Sequence, residues 1–309
     1  MRIATFCAGR RGLRFLEKLR ELAPDDQLVV FSFPEEAHEP PFLDDIRALA
    51  RAAGATFLEA RGLEREDLAT FFRDTPIDLL LAVGWRYLIP RKVHGRARLG
   101  AFVVHDSLLP RYRGFSPTVW ALVNGEPRVG ATLFRMVDEV DAGPIVDQAA
   151  IEVGPDQSIA EVMEQVTGLY LALLERNLCR LRSGAAVGEP QDERLATFTC
   201  RRLPEDNRID WAAPARRVHD LVRAVARPYP GAFTTFSGRV LRIWSARWVE
   251  PGRRFVGAVP GRVTRILPGE GVAVLAGDGE IQLGEVQLEG EPPARADQVV
   301  RSLSTTLGR

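Results

Sequence analysis

Strand and helix patterns alternate through the first half of the chain, and this alternation is the strongest constraint on its fold. Short apolar runs such as RIATFC (2–7), QLVVFSF (27–33) and IDLLLAV (77–83) are separated by segments with helical spacing. IDLLLAV is apolar almost throughout, which is typical of a strand covered on both faces. The alternation predicts a Rossmann-like α/β fold with a doubly wound, mostly parallel sheet. Ligands are expected at the carboxyl edge of such a sheet.

The pattern changes in the second half of the chain. Residues 157–182 carry apolar side chains at steps of three and four, which predicts a long helix. The next stretch, SGAAVGEPQDERL (183–195), is small and polar and is typical of a linker. One more helical segment is followed by short β-like runs between glycines and prolines, as in a small β-barrel. We therefore predict an α/β domain over 1–190 and an OB-like β-barrel domain over 203–309.

Composition disfavours several classes of protein. The 309 residues include 41 basic and 41 acidic side chains, so the surplus of positive charge usual in nucleic-acid binders is missing. The histidines and cysteines lack the spacing of a metal site or disulfide framework: Cys7, Cys179, Cys200, His38, His94, His105 and His219. No secretory leader and no long apolar run is evident. These features predict a cytoplasmic protein with no bound metal and no membrane segment.

The first strand–helix turn, CAGRRG (7–12), is a candidate binding loop. It is not GxGxxG, and the next strand lacks the acidic end of the dinucleotide pattern, so a nicotinamide cofactor is disfavoured. Two interpretations stay open. One is a plain turn with Gly12 at the helix start, and the other is an anion or substrate site at Gly9, Arg10 and Arg11.

His105 and Asp141 are the two side chains best placed for acid–base chemistry. His105 ends the apolar run FVVH at the carboxyl end of an inner strand, although a lone histidine is more often structural. In MVDEVDAGPI (136–145), three acids crowd one loop, and such acids are usually only solvated. Asp141 differs because it opens a turn that leads back into an apolar strand. A carboxylate held there can orient an imidazole or a water molecule.

Together these segments resemble the folate-dependent formyltransferase family. HDSLLPRYRGFSPTVWALVNGE (105–126) is similar to the family signature, and Asp141-Ala142-Gly143 fits its second catalytic loop, 36 residues after His105. The tail from Cys200 resembles the C-terminal domain found in methionyl-tRNA formyltransferases. VNGE (123–126) and RMV (135–137) look closer to the sugar-nucleotide N-formyltransferase part of the aminoarabinose-modifying enzyme.

The resemblance implies a formyl transfer from N10-formyltetrahydrofolate, without metal. His105 would stabilise the oxyanion or shuttle its proton, and Asp141 would hold the imidazole and a relay water. The pterin ring would meet main-chain groups of two loops, with Leu108 on its apolar wall. The implied cofactor-binding residues are Gly84, Trp85, Arg86, Tyr87, Leu88, Ile89, Leu108, Val137, Asp138 and Glu139.

Val103 is a departure from the family pattern. The family normally has Asn two residues before the histidine, and its amide donates to the formyl oxygen. Losing one such donor can raise the barrier by about 3–4 kcal/mol. Three interpretations stay open: another donor such as Ser107 or a backbone N–H replaces the amide, the protein hydrolyses formyl-folate or serves an unusual one-carbon acceptor, or it is a folate-binding module with weak catalysis.

The segment PEEAHEPPFLDD (34–45) bears on the acceptor. Methionyl-tRNA formyltransferases need a basic insert after the second strand, whereas this stretch holds five acids and no Lys or Arg. Acids repel phosphates, so tRNA is disfavoured. A small amine is favoured, such as an amino-sugar nucleotide or a specialised metabolite, and a homodimer is left open. Each arginine among the substrate-binding candidates is, taken alone, more often a surface charge. The candidates are Gly9, Arg10, Arg11, Arg111 and Arg113.

Overall fold

The computed structural model describes residues 1–36, 39–60, 65–248 and 253–309. His38, considered above as a metal ligand, lies outside the described residues, as does Val249 at the end of a predicted strand. In the described part of the chain, no helix combines the length and the apolar character needed to cross a membrane.

Strands and helices alternate over the first 105 residues, as the apolar pattern predicts. The elements are β1 (Arg2–Cys7), α1 (Gly9–Leu22), β2 (Gln27–Ser32), α2 (Leu43–Ala52), β3 (Thr56–Glu59), α3 (Arg65–Asp74), β4 (Leu79–Val83), α4 (Arg91–His94) and β5 (Ala101–His105). The next elements are β6 (Arg113–Gly114), α5 (Pro117–Val123), β7 (Arg128–Arg135), β8 (Ile145–Glu152), α6 (Ile159–Ser183) and β9 (Phe198–Thr199).

Seven strands form one sheet in the order β3-β2-β1-β4-β5-β7-β8. The first five are parallel, and β7 and β8 are antiparallel additions at one edge. All five residues of β4 are buried, which explains its continuous apolar sequence. This arrangement confirms the predicted α/β class and the mostly parallel sheet.

The C-terminal part is built from antiparallel strands. Its elements are α7 (Ala215–Val225), β10 (Ala232–Phe236), β11 (Arg239–Ile243), β12 (Ala246–Trp248), β13 (Val263–Leu267), β14 (Gly271–Leu275), β15 (Glu280–Leu283), β16 (Glu285–Leu288), β17 (Ala294–Arg295) and α8 (Ala296–Val299). The described strands pair as two four-stranded sheets, β10-β11-β16-β17 and β12-β15-β14-β13. Two β-like runs of the sequence, VLRIWSARWV and EIQLGEVQL, are each divided between these two sheets.

The described residues form two compact units. The first contains 1–117, 128–152 and 163–200, and the second contains 118–127, 153–162 and 201–309. Two segments that the sequence places in the α/β domain, 118–127 and 153–162, therefore belong to the second unit.

Candidate active site

His105 and Asp141 meet in the first unit. The distance between His105 Nδ1 and Asp141 Oδ2 is 3.7 Å, and both side chains are largely buried. On the other side of the ring, His105 Nε2 lies 3.1 Å from the Tyr112 carbonyl oxygen. Because a carbonyl can only accept, Nε2 carries a proton in this arrangement. The nitrogen that faces Asp141 is therefore the one free to take up a proton.

The loop bearing Asp141 does not leave the sheet at the edge where His105 lies. β7 is antiparallel to β5, with Arg135 opposite Phe102 and Thr132 opposite His105, so the chain leaves β7 near the start of β5. The loop must fold back to bring Asp141 to the imidazole. Gly143 permits this return, because a Cβ there would overlap the Arg135 carbonyl. Topology alone would have placed the two catalytic candidates apart.

Unusual backbone angles surround this pair. Asp141, Tyr112 and Ser116 all have positive φ, at 53°, 60° and 50°, although none is glycine. Such conformations cost about 1–3 kcal/mol each and persist only when neighbouring contacts hold them. One such contact is the Gly114 N–H, which donates to Asp141 Oδ2 at 2.9 Å. The two loops are thus strained and mutually braced.

The turn after His105 is held by two side chains of the antiparallel strands. Thr132 Oγ1 donates to the Ser107 carbonyl at 2.6 Å and accepts from the Leu109 N–H at 3.2 Å. Gln148 Nε2 donates to the Leu109 carbonyl and to Thr132 Oγ1, both at 2.8 Å. Ser107 itself is 6% exposed, and its Oγ has no hydrogen-bond partner among the residues described. It is a buried hydroxyl two residues after His105 in the sequence.

Val103 lies on the same face of β5 as His105, since side chains two apart on a strand share a face. It is half-buried and packs against the core cluster that contains Phe6 and Ala82. Trp85 packs against the same cluster, edge-on to Phe6 at 4.9 Å between ring centroids. The surroundings of Val103 are therefore apolar. Trp85 Nε1 is buried there without a hydrogen-bond partner in the described ranges. The resemblance implied only a main-chain contact for Trp85, so this side-chain donor was not expected.

The two loops expected to meet the pterin ring differ in exposure and pairing. Tyr87 and Leu88 are 57% and 65% exposed, an uncommon amount of apolar surface in adjacent residues. Arg86 pairs with Glu39 at 2.8 Å and with Glu36 at 3.6 Å. Burial acts to lower the pKa of its guanidinium, but the hydrogen bond to Glu39 and the charges of Glu39 and Glu36 together outweigh it and raise the pKa. Two acids of the 34–45 segment, Glu36 and Glu39, thus form ion pairs with the loop that carries Arg86.

On the second loop, the Asp138 carboxylate pairs with Arg91 at 3.0 Å and with His94 at 3.2 Å. This leaves main-chain groups of Val137, Asp138 and Glu139 as the expected contacts. Gly130 on β7 provides the space for Leu108, because a Cβ at Gly130 would overlap its side chain. The role of Leu108 as an apolar wall stays a prediction.

The substrate-binding candidates separate into exposed and engaged residues. Gly9 has φ 63° and open space around its missing Cβ. Arg10 is exposed and pairs with Glu164 at 3.0 Å, while Arg111 is exposed over the Tyr112 ring. Arg11 is mostly buried: it binds Asp106 at 2.9 Å and lies over the Tyr170 ring. Burial, and then Asp106, keep the pKa of the Tyr170 hydroxyl well above its ordinary value.

Arg113 corrects the sequence expectation. It is 1% exposed, and its guanidinium is taken up by Glu193, at 2.8 and 2.7 Å, and by Gln191, at 3.2 and 2.7 Å. The hydrogen bond to Glu193 raises the pKa of Arg113. A cation so fully paired inside the protein is not available to a substrate phosphate. The family signature alone could not reveal this, because both partners lie about eighty residues downstream.

Cys7 ends β1, and its thiol is buried. Burial raises the pKa of the Cys7 thiol to about 12, which keeps it protonated and unreactive. The described ranges contain no group of three or more histidine, cysteine or acidic side chains arranged to hold a metal ion.

Comparison with known proteins identifies the family. The Formyl transferase family model matches residues 14–176, and the model of the Formyl transferase C-terminal domain matches residues 203–304. The chain belongs to the formyl transferase family. Membership confirms the expected enzyme class, formyltransferase, and formyl-tetrahydrofolate as its co-substrate.

One curated relative of this formyl transferase is the methionyl-tRNA formyltransferase of Solibacter usitatus (strain Ellin6076). It is 36% identical over 257 residues, which cover 83% of this chain and 80% of that protein. The fold is shared with an N-formyltransferase from Helicobacter canadensis solved with folinic acid and dTDP-3-aminofucose, at a TM-score of 0.68 and 14% identity, with 91% and 98% of the two chains covered.

HypX from Aquifex aeolicus, solved in complex with tetrahydrofolic acid, also shares the fold. The TM-score is 0.65 at 18% identity, and the match covers 97% of this formyl transferase. It covers only 47% of the HypX chain, so this protein spans about half of that one.

Proposed function

We propose that this formyl transferase moves the formyl group of N10-formyltetrahydrofolate to the amine nitrogen of a small acceptor. The proposal rests on one observation: His105 Nδ1 lies 3.7 Å from Asp141 Oδ2, while Nε2 on the other side of the ring donates to the Tyr112 carbonyl. An amine that attacks a formyl carbon must lose a proton. His105 Nδ1 can accept it, and the resulting imidazolium then faces the Asp141 carboxylate, which stabilises the positive charge. When the tetrahedral adduct collapses, the bond between the formyl carbon and N10 breaks and the imidazolium returns the proton to N10, which releases tetrahydrofolate.

The negative charge that develops on the formyl oxygen needs a hydrogen-bond donor. Val103 supplies none, and its apolar surroundings indicate a site adapted to valine rather than one that merely lacks an amide. Ser107 Oγ is the replacement that we favour, because it is buried, without a partner in the described part of the chain, and two residues from His105. One good donor in a site shielded from water lowers a barrier of this kind by about 3–4 kcal/mol.

The chain's own residues fit a folate in two respects. Tyr87 and Leu88 expose adjacent apolar surface, and Trp85 Nε1 is a buried donor without a partner in the described ranges. Flat heterocycles with polar edges are bound by this combination of apolar walls and a few placed donors. We therefore assign the co-substrate to the loop Gly84–Ile89, with the main chain of Val137–Glu139 opposite.

The acceptor that we favour is a small amine such as an amino-sugar nucleotide. The segment 34–45, where a basic tRNA-binding insert would lie, holds acids, and two of them bind Arg86. The second candidate is methionyl-tRNA, which the 36% identity to the Solibacter enzyme favours. A third outcome is hydrolysis of the formyl group, in which water takes the place of the amine. It stays open because Val103 departs from the Asn-x-His pattern of the family's transferases.

One assay separates these outcomes. The full chain is incubated with N10-formyltetrahydrofolate alone, with a dTDP-amino sugar, and with methionyl-tRNA, while release of tetrahydrofolate is followed. Turnover that requires the amino sugar supports the proposal. Turnover that requires methionyl-tRNA supports the second candidate acceptor. Turnover in the absence of both acceptors identifies a hydrolase.

Matched variants then test the site itself. His105→Ala and Asp141→Asn should each lower turnover about 10²- to 10⁴-fold. Unchanged rates in both variants, or binding of N10-formyltetrahydrofolate with no turnover under any condition, would overturn the proposal.

A further inference from the structure

We propose that Gln191 is a positioning residue for the catalytic pair and acts together with Arg113. It lies in the segment Glu189–Thr199, whose composition is that of a linker. This inference rests on the proposed function, because it assigns a role relative to His105 and Asp141. Four sets of contacts in the first unit carry it.

The segment is attached at its start to the strand that follows the Asp141 loop. Glu189 and Ile145 exchange both backbone hydrogen bonds, each at 2.8 Å. The Gln191 carboxamide then donates through Nε2 to the Asp141 carbonyl at 2.8 Å and to the Gly143 carbonyl at 2.7 Å. Both N–H groups of this amide therefore donate to the backbone of the loop that carries Asp141.

The oxygen of the same carboxamide binds the other catalytic loop. Gln191 Oε1 accepts from Arg113 Nε at 3.2 Å and from Nη2 at 2.7 Å. Arg113 immediately precedes Gly114, the residue whose N–H binds the Asp141 carboxylate. One side chain thus ties the backbone at Asp141 to the residue beside its carboxylate contact.

The far end of the segment binds the loop whose Tyr112 carbonyl accepts the hydrogen bond from His105. Thr197 Oγ1 accepts from the Tyr112 N–H at 2.8 Å, and the Thr197 carbonyl accepts from the Arg113 N–H at 2.9 Å. Thr199 Oγ1 donates to the Arg113 carbonyl at 3.0 Å. The Tyr112 carbonyl, on which His105 Nε2 rests, is therefore placed by the same segment.

Positive φ angles make this bracing necessary. Asp141 and Tyr112 both occupy the left-handed region, so neither loop would keep its shape without external contacts. A relative shift of the loops changes the His105–Asp141 geometry, and displacements near 1 Å can slow an enzyme by about 10²-fold. Gln191 binds both loops, because its Nε2 donates to the loop of Asp141 and its Oε1 accepts from Arg113 beside Tyr112.

The experiment compares Gln191→Ala and Gln191→Glu with Asp192→Ala in the full chain. Glu at position 191 keeps an oxygen for Arg113 but cannot donate to the two carbonyls at neutral pH. Asp192 is the matched neighbour, because among the residues described its carboxylate hydrogen-bonds to Arg194 and not to either catalytic loop. The assay uses N10-formyltetrahydrofolate with the acceptor that gave turnover, either the dTDP-amino sugar or methionyl-tRNA, or no acceptor if none was required.

Both Gln191 variants should lower kcat about 10- to 100-fold with KM for N10-formyltetrahydrofolate little changed. Asp192→Ala should retain the parent rate. In the Asp141→Asn background the further loss from Gln191→Ala should largely disappear, because the two residues act as one unit. The kcat–pH profile of Gln191→Glu should also shift, which a purely structural role would not produce.

A parent-like kcat for both Gln191 variants overturns the proposal while leaving the formyl transfer intact. The proposal is also overturned if Gln191→Ala lowers kcat as much in the Asp141→Asn background as in the parent chain. It is overturned as well if the loss of kcat in both Gln191 variants accompanies a fall in their melting temperature. Absence of turnover in the parent chain, by contrast, overturns the proposed function and this inference with it.

Discussion

Gly114 donates its backbone N–H to Asp141 Oδ2, the same oxygen that faces His105. It does so at φ 106°, with the position of a Cβ only 2.6 Å from the Thr199 carbonyl oxygen. A side chain at this residue would meet both strain and a clash. The orientation of the Asp141 carboxylate therefore depends on a position where glycine is required.

Gly114→Ala should lower kcat about 10- to 100-fold, because the loop must shift to relieve the overlap and the Asp141 contact is lost. The measurement is steady-state turnover together with thermal unfolding. Gly238→Ala is the matched control, since Gly238 has φ 76° but nothing within 4 Å of its missing Cβ. If both variants lose activity equally, general backbone strain rather than the carboxylate contact is responsible.

Val103→Asn should reduce stability and should not restore a faster transfer. An amide placed among apolar neighbours loses hydration without gaining a partner there, at about 1–3 kcal/mol. Urea unfolding and the transfer rate are the measurements, and Val103→Ile is the control that changes volume without polarity. A large gain in rate for Val103→Asn would show that the missing amide limits the chemistry and that Ser107 does not replace it.

Arg11→Ala and Arg10→Ala should have different effects, although the two residues are adjacent on α1. Arg11 binds Asp106, next to His105 in sequence, so its loss should destabilise the protein by about 1–3 kcal/mol and lower kcat. Arg10 forms an ion pair with Glu164 in which both side chains are exposed, so stability should change by less than about 1 kcal/mol. A raised acceptor KM in Arg10→Ala alone would support its expected contact with the substrate.

Asp220, in the second unit, should make stability depend on pH in acid. Burial acts to raise its pKa, but His219, Arg223 and Arg216 outweigh this and lower it below the ordinary value. Because the folded pKa is below the unfolded one, the contribution is full above about pH 4 and is lost as pH falls through the folded pKa.

Urea unfolding between pH 7 and pH 2 measures this dependence. Asp220→Asn should lose about 3–5 kcal/mol at pH 7, since Arg223 is left buried without its partner, and its acid slope should be shallower. Asp156→Asn is the control: this exposed acid also contacts His219 but should have a small effect. An acid slope identical to that of the parent in Asp220→Asn would contradict the assignment.

The sequence predicted the sheet and the catalytic pair for different reasons. The parallel strands follow from apolar periodicity, which is a local property. His105 and Asp141 were predicted from motif spacing, although the antiparallel course of β7 sends the Asp141 loop away from His105 before it returns. The physical pattern made His105 and Asp141 candidates for acid–base chemistry, and the family spacing of 36 residues is what joined them into one site.

The contacts of Arg113 and Gln191 could not be predicted from local pattern. They are 78 residues apart, and no periodicity joins them. Arg113 was read as a surface charge or a substrate contact because its signature position says nothing about burial. Gln191 was read as linker because small and polar neighbours dominate its segment. Only the tertiary structure shows that both are saturated with hydrogen bonds.

The two-residue ribbon in which Arg113 and Gly114 pair with Phe198 and Thr199 has a consequence for how such enzymes diversify. Composition places the natural junction between domains near residue 190, so an exchange of C-terminal domains between relatives would be expected to cut there. A cut at that point would hand over Gln191, Thr197 and Thr199 to the incoming sequence. An exchange of C-terminal domains that keeps these contacts must cross after Thr199, so that each α/β domain retains the segment that holds its own loops.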